Sequence, residues 1–238
     1  MHRKLIFTFV LAAFVVSAPS ITRAQDPAVD LAAPGRRPAE IERDRTSKPI
    51  EVLEWLEVES GDVIADLQAG SGYHSWIFSQ WVGPEGAVYA QSSYRPDTLK
   101  ARVEGGDLKT AGNVHYVERI ADLPSDSFDV VFTDRNYHDF PPDQIPSIVA
   151  EISRALKPGG TFAVIDARAA EGRDEEAHRI ADDVIIVEVT AAGFELVDSS
   201  ELFANPDDDH VGGKFDQRDS LDRSLLKFQK PAEPEAAE

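Results

Sequence analysis

Short apolar runs rich in β-branched residues alternate along this chain with segments whose apolar positions recur at helical spacing. The runs are Val63–Leu67, Ala87–Ala90, Val114–Val117, Asp129–Thr133 and Thr161–Ile165, and the spacing between them predicts helices over about 73–82, 96–104 and 143–156. Strand and helix in repeated alternation require right-handed crossovers, and therefore an α/β domain with a mostly parallel sheet covered on both faces. A helix from Pro49 to Leu56 precedes the first run, with its proline in the first turn. Beyond a further helix near 178–192, Glu195–Val197 and Ser224–Phe228 complete seven expected strands, the second of them pairing antiparallel at one edge.

The ends of the chain carry a different pattern. A basic start (Arg3, Lys4), an apolar run from Leu5 to Val16 and the small-residue stretch Thr22-Arg23-Ala24 read as a signal peptide over residues 1–24, cleaved near Ala24. The implied address is periplasmic or secreted. The apolar run is shorter than the roughly 20 residues that cross a bilayer, so no membrane association is expected once the peptide is removed. Residues 25–39 are rich in Pro, Ala and Gly without periodicity and read as a flexible linker; 231–238 read as a disordered acidic tail, leaving 40–230 as the single domain.

Charge and cysteine content narrow the chemistry. The formal net charge of the 238 residues is −19, and loss of Arg3, Lys4 and Arg23 with the leader makes the remainder more negative by three. Such a surface repels phosphate backbones and anionic lipid, so nucleic acid is not an expected partner and a small-molecule substrate is. With no cysteine, disulfides, thiolate metal sites and a thiol nucleophile are all excluded.

The first strand runs into Asp66-Leu67-Gln68-Ala69-Gly70-Ser71-Gly72-Tyr73. A glycine turn between strand and helix lies at the carboxyl edge of an open sheet, where backbone N–H groups are free to meet a ligand; the same two glycines could equally serve only a tight connection. A dinucleotide fingerprint needs a glycine or alanine at Ser75 and an acid where Gln91 stands, which argues against nicotinamide chemistry. With Leu123-Pro124, Ser127-Phe128-Asp129-Val130-Val131 and Leu156-Lys157-Pro158-Gly159-Gly160 following in order, the chain resembles the class I S-adenosylmethionine-dependent methyltransferases over about residues 40–230. Asn136-Tyr137-His138-Asp139, Asp166 and His178-Arg179 look like features of an exported bacterial group of predicted methyltransferases.

The resemblance implies a Rossmann-like three-layer sandwich and S-adenosylmethionine as cofactor. It assigns cofactor contacts to Asp66, Gln68, Ala69, Gly70, Gly72, Tyr73, Gln91, Arg119, Ile120 and Asp134, with Gln91 facing the ribose and Arg119–Ile120 bordering the adenine. Three positions depart from the family pattern: Gln68 replaces the first glycine of the loop, Gln91 the ribose-binding acid, and Arg119 the acid beside adenine.

After strand four, His138 reads as a general base, Tyr137 or Asn136 as the group orienting a methyl acceptor, and Asp139 as the partner fixing the imidazole tautomer; turn-forming and local packing roles are the alternative. His178, placed at the start of the helix near 178–192, and Asp166 could meet His138 and Asp139 across the cleft, or His178 could be a helix-start residue. The run Asp207-Asp208-Asp209-His210 matches no calcium loop and reads as a solvated charge run, so no metal ligand set is assigned. Two functions stay open on these residues, a small-molecule methyltransferase and a non-catalytic exported binding protein with a degenerate methyltransferase fold.

Overall fold

The computed structural model describes residues 29–33, 36–94, 96–212 and 218–232. The expected signal peptide, residues 25–28 of the expected linker and residues 233–238 of the tail lie outside the described residues. Helices α1 (Pro38–Ser47) and α2 (Pro49–Trp55) lead into β1 (Val63–Leu67), α3 (Tyr73–Val82), β2 (Ala87–Gln91), α4 (Pro96–Gly105), α5 (Asp107–Ala111) and β3 (Val114–Val117). Then follow β4 (Phe128–Asp134), α6 (Ile145–Ala155), β5 (Leu156–Ala167), a hairpin of β6 (Arg173–Asp174) and β7 (Arg179–Ile180), α7 (Asp182–Thr190), β8 (Glu195–Ser199) and β9 (Arg223–Gln229).

Seven strands form one sheet in the order β3-β2-β1-β4-β5-β9-β8. Only β9 runs against the others. Successive residues point to opposite faces of a strand, and the burial follows: Val130, Phe132, Ala163 and Ile165 enter one apolar cluster, while Val131, Phe162 and Val164 enter the other. Helices α2 and α3 supply the first cluster with Leu53, Ile77 and Phe78, and α6 and α7 supply the second with Val149, Ile152 and Ile185. The fold is the expected Rossmann-like three-layer sandwich.

Three expectations are corrected. The antiparallel strand, β9, lies not at the edge but between β5 and β8, paired to both from Gln229 to Leu226. Its Leu225, Leu226 and Phe228 are buried, whereas all of β8 is exposed, as suits a true edge. Helix α7 starts at Asp182, with Asp182 and Asp183 favourably placed in its first turn; His178 belongs to the turn of the β6–β7 hairpin instead. Finally, α1 begins inside the expected linker, and Val29, Leu31 and Ala33 ahead of it pack against the first cluster. Half of the residues of α1 are charged, so it offers no apolar stripe; it is held by ion pairs.

Candidate active site

The carboxyl ends of β1, β2, β4 and β5 share one edge of the sheet, because parallel neighbours end together: Leu67 lies beside Thr133 and Asp134 beside Ile165. After β1 the chain turns through positive φ at Gln68 (49°), Gly70 (59°) and Gly72 (85°). Gly72 has no room for a side chain, since a Cβ would meet Leu108 Cδ1 at 2.8 Å and Leu99 Cδ1 at 3.0 Å. Around Gly70 there is open space, with only the Gln68 carbonyl at 4.0 Å from such an atom.

The loop is tied to β2 by Gln91. Its Oε1 accepts from the Gln68 N–H at 3.1 Å, its Nε2 donates to the Glu118 carbonyl at 2.8 Å, and its own carbonyl accepts from the Ala69 N–H at 2.8 Å. Gln91, 1% exposed, therefore struts three connections together and presents neither end of its amide to the cleft. Gln68 Nε2 donates to Ser93 Oγ at 3.0 Å, leaving Oε1 buried without a partner. Arg119 is exposed and paired to Asp122 at 2.5 Å, beside the single helical turn that starts at Ile120.

Under the loop, Asp66 is 2% exposed and accepts a 2.6 Å hydrogen bond from Ser75 Oγ. Burial pushes its carboxyl up to about 7, against the opposing effect of that hydrogen bond. Above it lies α1. Arg43 donates to Asp134 Oδ2 at 2.6 Å and stacks over the Tyr73 ring at 4.1 Å, while the Tyr73 hydroxyl donates to Asp44 at 2.8 Å. Arg102 clamps Glu40 (2.8 Å), Asp107 (2.5 Å) and the Ser71 carbonyl at once. Burial acts to raise Asp134, but Arg135, His74 and Arg43 outweigh it and hold the carboxylate well below its usual range. The neighbouring His74, 2.9 Å from Asp134, is pushed by burial down to about 4 and stays neutral.

Of the expected cofactor residues, Asp66, Tyr73 and Asp134 are thus buried and bonded within the protein, Asp66 to Ser75, Tyr73 to Asp44 and Asp134 to Arg43 and His74. Glu40, Arg43, Asp44, His74 and Arg102, which pair with these residues or with one another, carry no sequence motif; the dense charge of α1 just upstream of the glycine turn was the available signal.

On the other side of the cleft, Asp166, the last residue but one of β5, is 0% exposed. Its Oδ2 accepts from the His138 backbone N–H at 2.9 Å and its Oδ1 lies 2.7 Å from His138 Nδ1. Burial tends to lower the His138 imidazole, but the hydrogen bond and charge of Asp166, with Asp139 behind them, leave it raised. Nε2 of His138 lies 3.1 Å from His178 Nδ1 and 3.4 Å from Asp139 Oδ1, and His178 Nδ1 lies 3.2 Å from Asp139. His138, Asp139, Asp166 and His178 therefore meet as the sequence suggested, but Asp166, not the expected Asp139, takes Nδ1 and holds the imidazole tautomer. Arg173 braces them by donating to the carbonyls of Tyr137 (3.2 Å) and His138 (2.9 Å) while paired to Glu188 at 2.9 Å.

Tyr137 does not join them. It is 0% exposed, its ring among Phe140 and Phe162, so it anchors the loop and orients no acceptor. Asn136 bridges the two halves instead, its Nδ2 donating to the Asp134 carbonyl at 2.7 Å and the Gln68 carbonyl at 3.4 Å.

Residues 64–160 match the family described as a methyltransferase domain. Over 118 residues the chain is 32% identical to an uncharacterized methyltransferase of Synechocystis, covering 48% of this chain and 51% of the relative. The chain spans about half the length of the curated relatives it matches. An S-adenosylmethionine-dependent methyltransferase from Aquifex aeolicus superposes with a TM-score of 0.58 at 17% identity, over 79% of this chain and 97% of that one. A phosphoethanolamine N-methyltransferase of Haemonchus contortus, solved with S-adenosylmethionine, gives 0.59 at 15% identity, over 78% and 52%. Residues 64–160 thus match a methyltransferase domain, and the sheet around them is the fold shared with those S-adenosylmethionine-dependent methyltransferase structures. S-adenosylmethionine is the cofactor that goes with this domain, and the open space at Gly70 and the unpartnered Gln68 Oε1 fit a ligand there.

Proposed function

We propose that this protein is a methyltransferase acting on a small, non-anionic molecule whose accepting atom carries a dissociable proton. The observation that carries the reading is the Asp166–His138 pair, joined at 2.7 Å at the end of β5 beside the glycine turn of β1. When bound, the cofactor supplies a methyl activated by its sulfonium. Gly70 lets the backbone approach it, and Gln68 offers Oε1 as an acceptor. His138 Nε2 receives the proton that the acceptor loses as it gains the methyl, leaving S-adenosylhomocysteine and a protonated imidazole held by Asp166. The net charge of −19 weighs against nucleic acid and anionic acceptors, and the apolar leader supports an address outside the cytoplasm.

A second reading, a binding protein without turnover, draws on Gln91, whose amide is committed to backbone where the family uses an acid for the ribose. Calorimetric titration with S-adenosylmethionine and S-adenosylhomocysteine, followed by mass-spectrometric detection of S-adenosylhomocysteine formed with candidate acceptors, separates the two. His138→Ala should keep cofactor binding and lower turnover by about 10²–10⁴-fold. Absence of heat with millimolar cofactor would refute the methyltransferase reading, and binding without turnover favours the second.

A further inference from the structure

Three nitrogen and oxygen atoms at the mouth of the cleft point at one spot. His138 Nε2, His178 Nδ1 and Asp139 Oδ1 form a triangle with edges of 3.1, 3.2 and 3.4 Å. Around an ion held at about 2.0–2.1 Å, ligands at tetrahedral angles stand about 3.3 Å apart and ligands at right angles about 2.9 Å apart. The observed edges fall within and just above that interval, so one ion reaches all three atoms without rearrangement.

The support around the triangle is that of a held ligand set. Asp166 takes His138 Nδ1 at 2.7 Å and the backbone N–H groups of His138 and Ala167 at 2.9 and 2.8 Å, which fixes the imidazole with Nδ1 as donor and turns the Nε2 lone pair toward the triangle. A carboxylate behind a histidine is the usual second layer of a metal site, since it sets both ring orientation and basicity. His178 is presented from the β6–β7 hairpin at a positive φ of 55°, a backbone state uncommon for a side chain. The hairpin is pinned by Arg173 to the carbonyls of Tyr137 and His138. Asp139 is exposed and His178 half-buried, so the outer side of the triangle is open for further ligands. Two carboxylates, Asp139 and Asp166, balance a doubly charged ion.

We propose that His138, His178 and Asp139 bind one divalent transition-metal ion, zinc by ligand type, with its remaining positions open to the cleft. Two imidazoles and one carboxylate suit zinc, iron or cobalt, whereas calcium and magnesium prefer all-oxygen sets. The site itself stands on this geometry; its use in seating the oxygen of a methyl acceptor rests on the methyltransferase reading. Ion and proton compete for His138 Nε2, so with the ion bound the acceptor is activated by the metal and not by a free imidazole.

The test is calorimetric titration of the chelator-treated full chain with Zn²⁺, paralleled by Co²⁺ titration read as visible absorption. One equivalent should bind in the unaltered protein and in His210→Ala, which removes a histidine elsewhere. Binding should be lost in His138→Ala and in His178→Ala, and weakened about 10–100-fold in Asp166→Asn, with circular dichroism confirming that each variant folds. Absence of one-to-one zinc binding, or binding that survives in the double variant lacking both histidines, overturns the proposal. Because the zinc titration needs no S-adenosylmethionine and the cofactor titration is run without zinc, either reading can fail while the other stands.

Discussion

Replacing Asp66 with Asn should change the pH dependence of stability by an amount that the burial of this one carboxyl sets. Asp66 titrates near about 7 in the fold against an ordinary 3.8, because burial penalises its charge. A raised pKa means that the native state binds the proton more tightly, so this contribution is complete below the unfolded value and is lost as pH rises through about 7. Linkage puts it at about 2.7 kcal/mol at pH 5 and near zero at pH 8. His74, depressed by burial to about 4 from 6.5, acts in the opposite direction. Its contribution is present above 6.5 and lost as pH falls through about 4, which costs about 2 kcal/mol at pH 5 relative to pH 8. The two nearly cancel between pH 5 and 8. These two groups therefore add little net difference to urea unfolding between the two pH values, and what remains for the unaltered chain includes His138, held raised by Asp166, whose contribution is lost as pH rises. Measured against the unaltered chain, Asp66→Asn should lose about 2.7 kcal/mol more at pH 5 than at pH 8, a melting shift of about 5–11 °C for a domain of this size, while His74→Phe should move the difference about 2 kcal/mol the other way. If Asp66→Asn and the unaltered chain change in parallel from pH 5 to 8, the buried-carboxyl argument is wrong.

Three further outcomes follow from the packing. Gly72→Ala, forced to hold φ 85° and a Cβ 2.8 Å from Leu108, should lose about 2–3 kcal/mol in denaturant melts and weaken cofactor binding; equal stability would mean that the loop relaxes freely. Arg102→Met leaves Glu40, 6% exposed, without its partner and should cost about 3–5 kcal/mol by chemical unfolding, with Glu40→Gln in the same chain restoring part of it. Phe132→Ala removes a fully buried ring in edge contact with His74 and Phe78 and should cost about 3–5 kcal/mol in the same melts.

The central parallel strands β1, β4 and β5 were legible because both their faces are largely buried, and the edge strand β3 because its valines still stand out. Val63–Leu67 and Val114–Val117 read as mostly apolar runs, interrupted by Asp66 and His115, and the observed β1 and β3 have those same ends. Helix α1 was illegible for the opposite reason. Arg43–Asp134 and Glu40–Arg102 are pairings between distant positions, and no local period encodes them. The order of the last two strands left a trace that was passed over: Ser224-Leu225-Leu226 is more apolar than Asp198-Ser199, as befits a strand flanked on both sides. In the cleft, residue types and turn positions placed His138, Asp139, Asp166 and His178 together, but Tyr137 and Gln91 were misread. Whether an aromatic or an amide faces inward depends on packing from α6, α7 and β3 that the sequence around each residue does not contain.

The position of β9 bears on how the protein is made. Since β9 is the neighbour of both β5 and β8, nothing upstream of Arg223 can finish the sheet, and a nascent chain emerging from the ribosome must keep the edge of β5 waiting until its last strand arrives. Until then the polypeptide stays incompletely folded, with an open edge that other chains could pair with. A stop codon just before Arg223 would thus yield a sticky, aggregating product even though every residue of the cleft discussed above had already been synthesised.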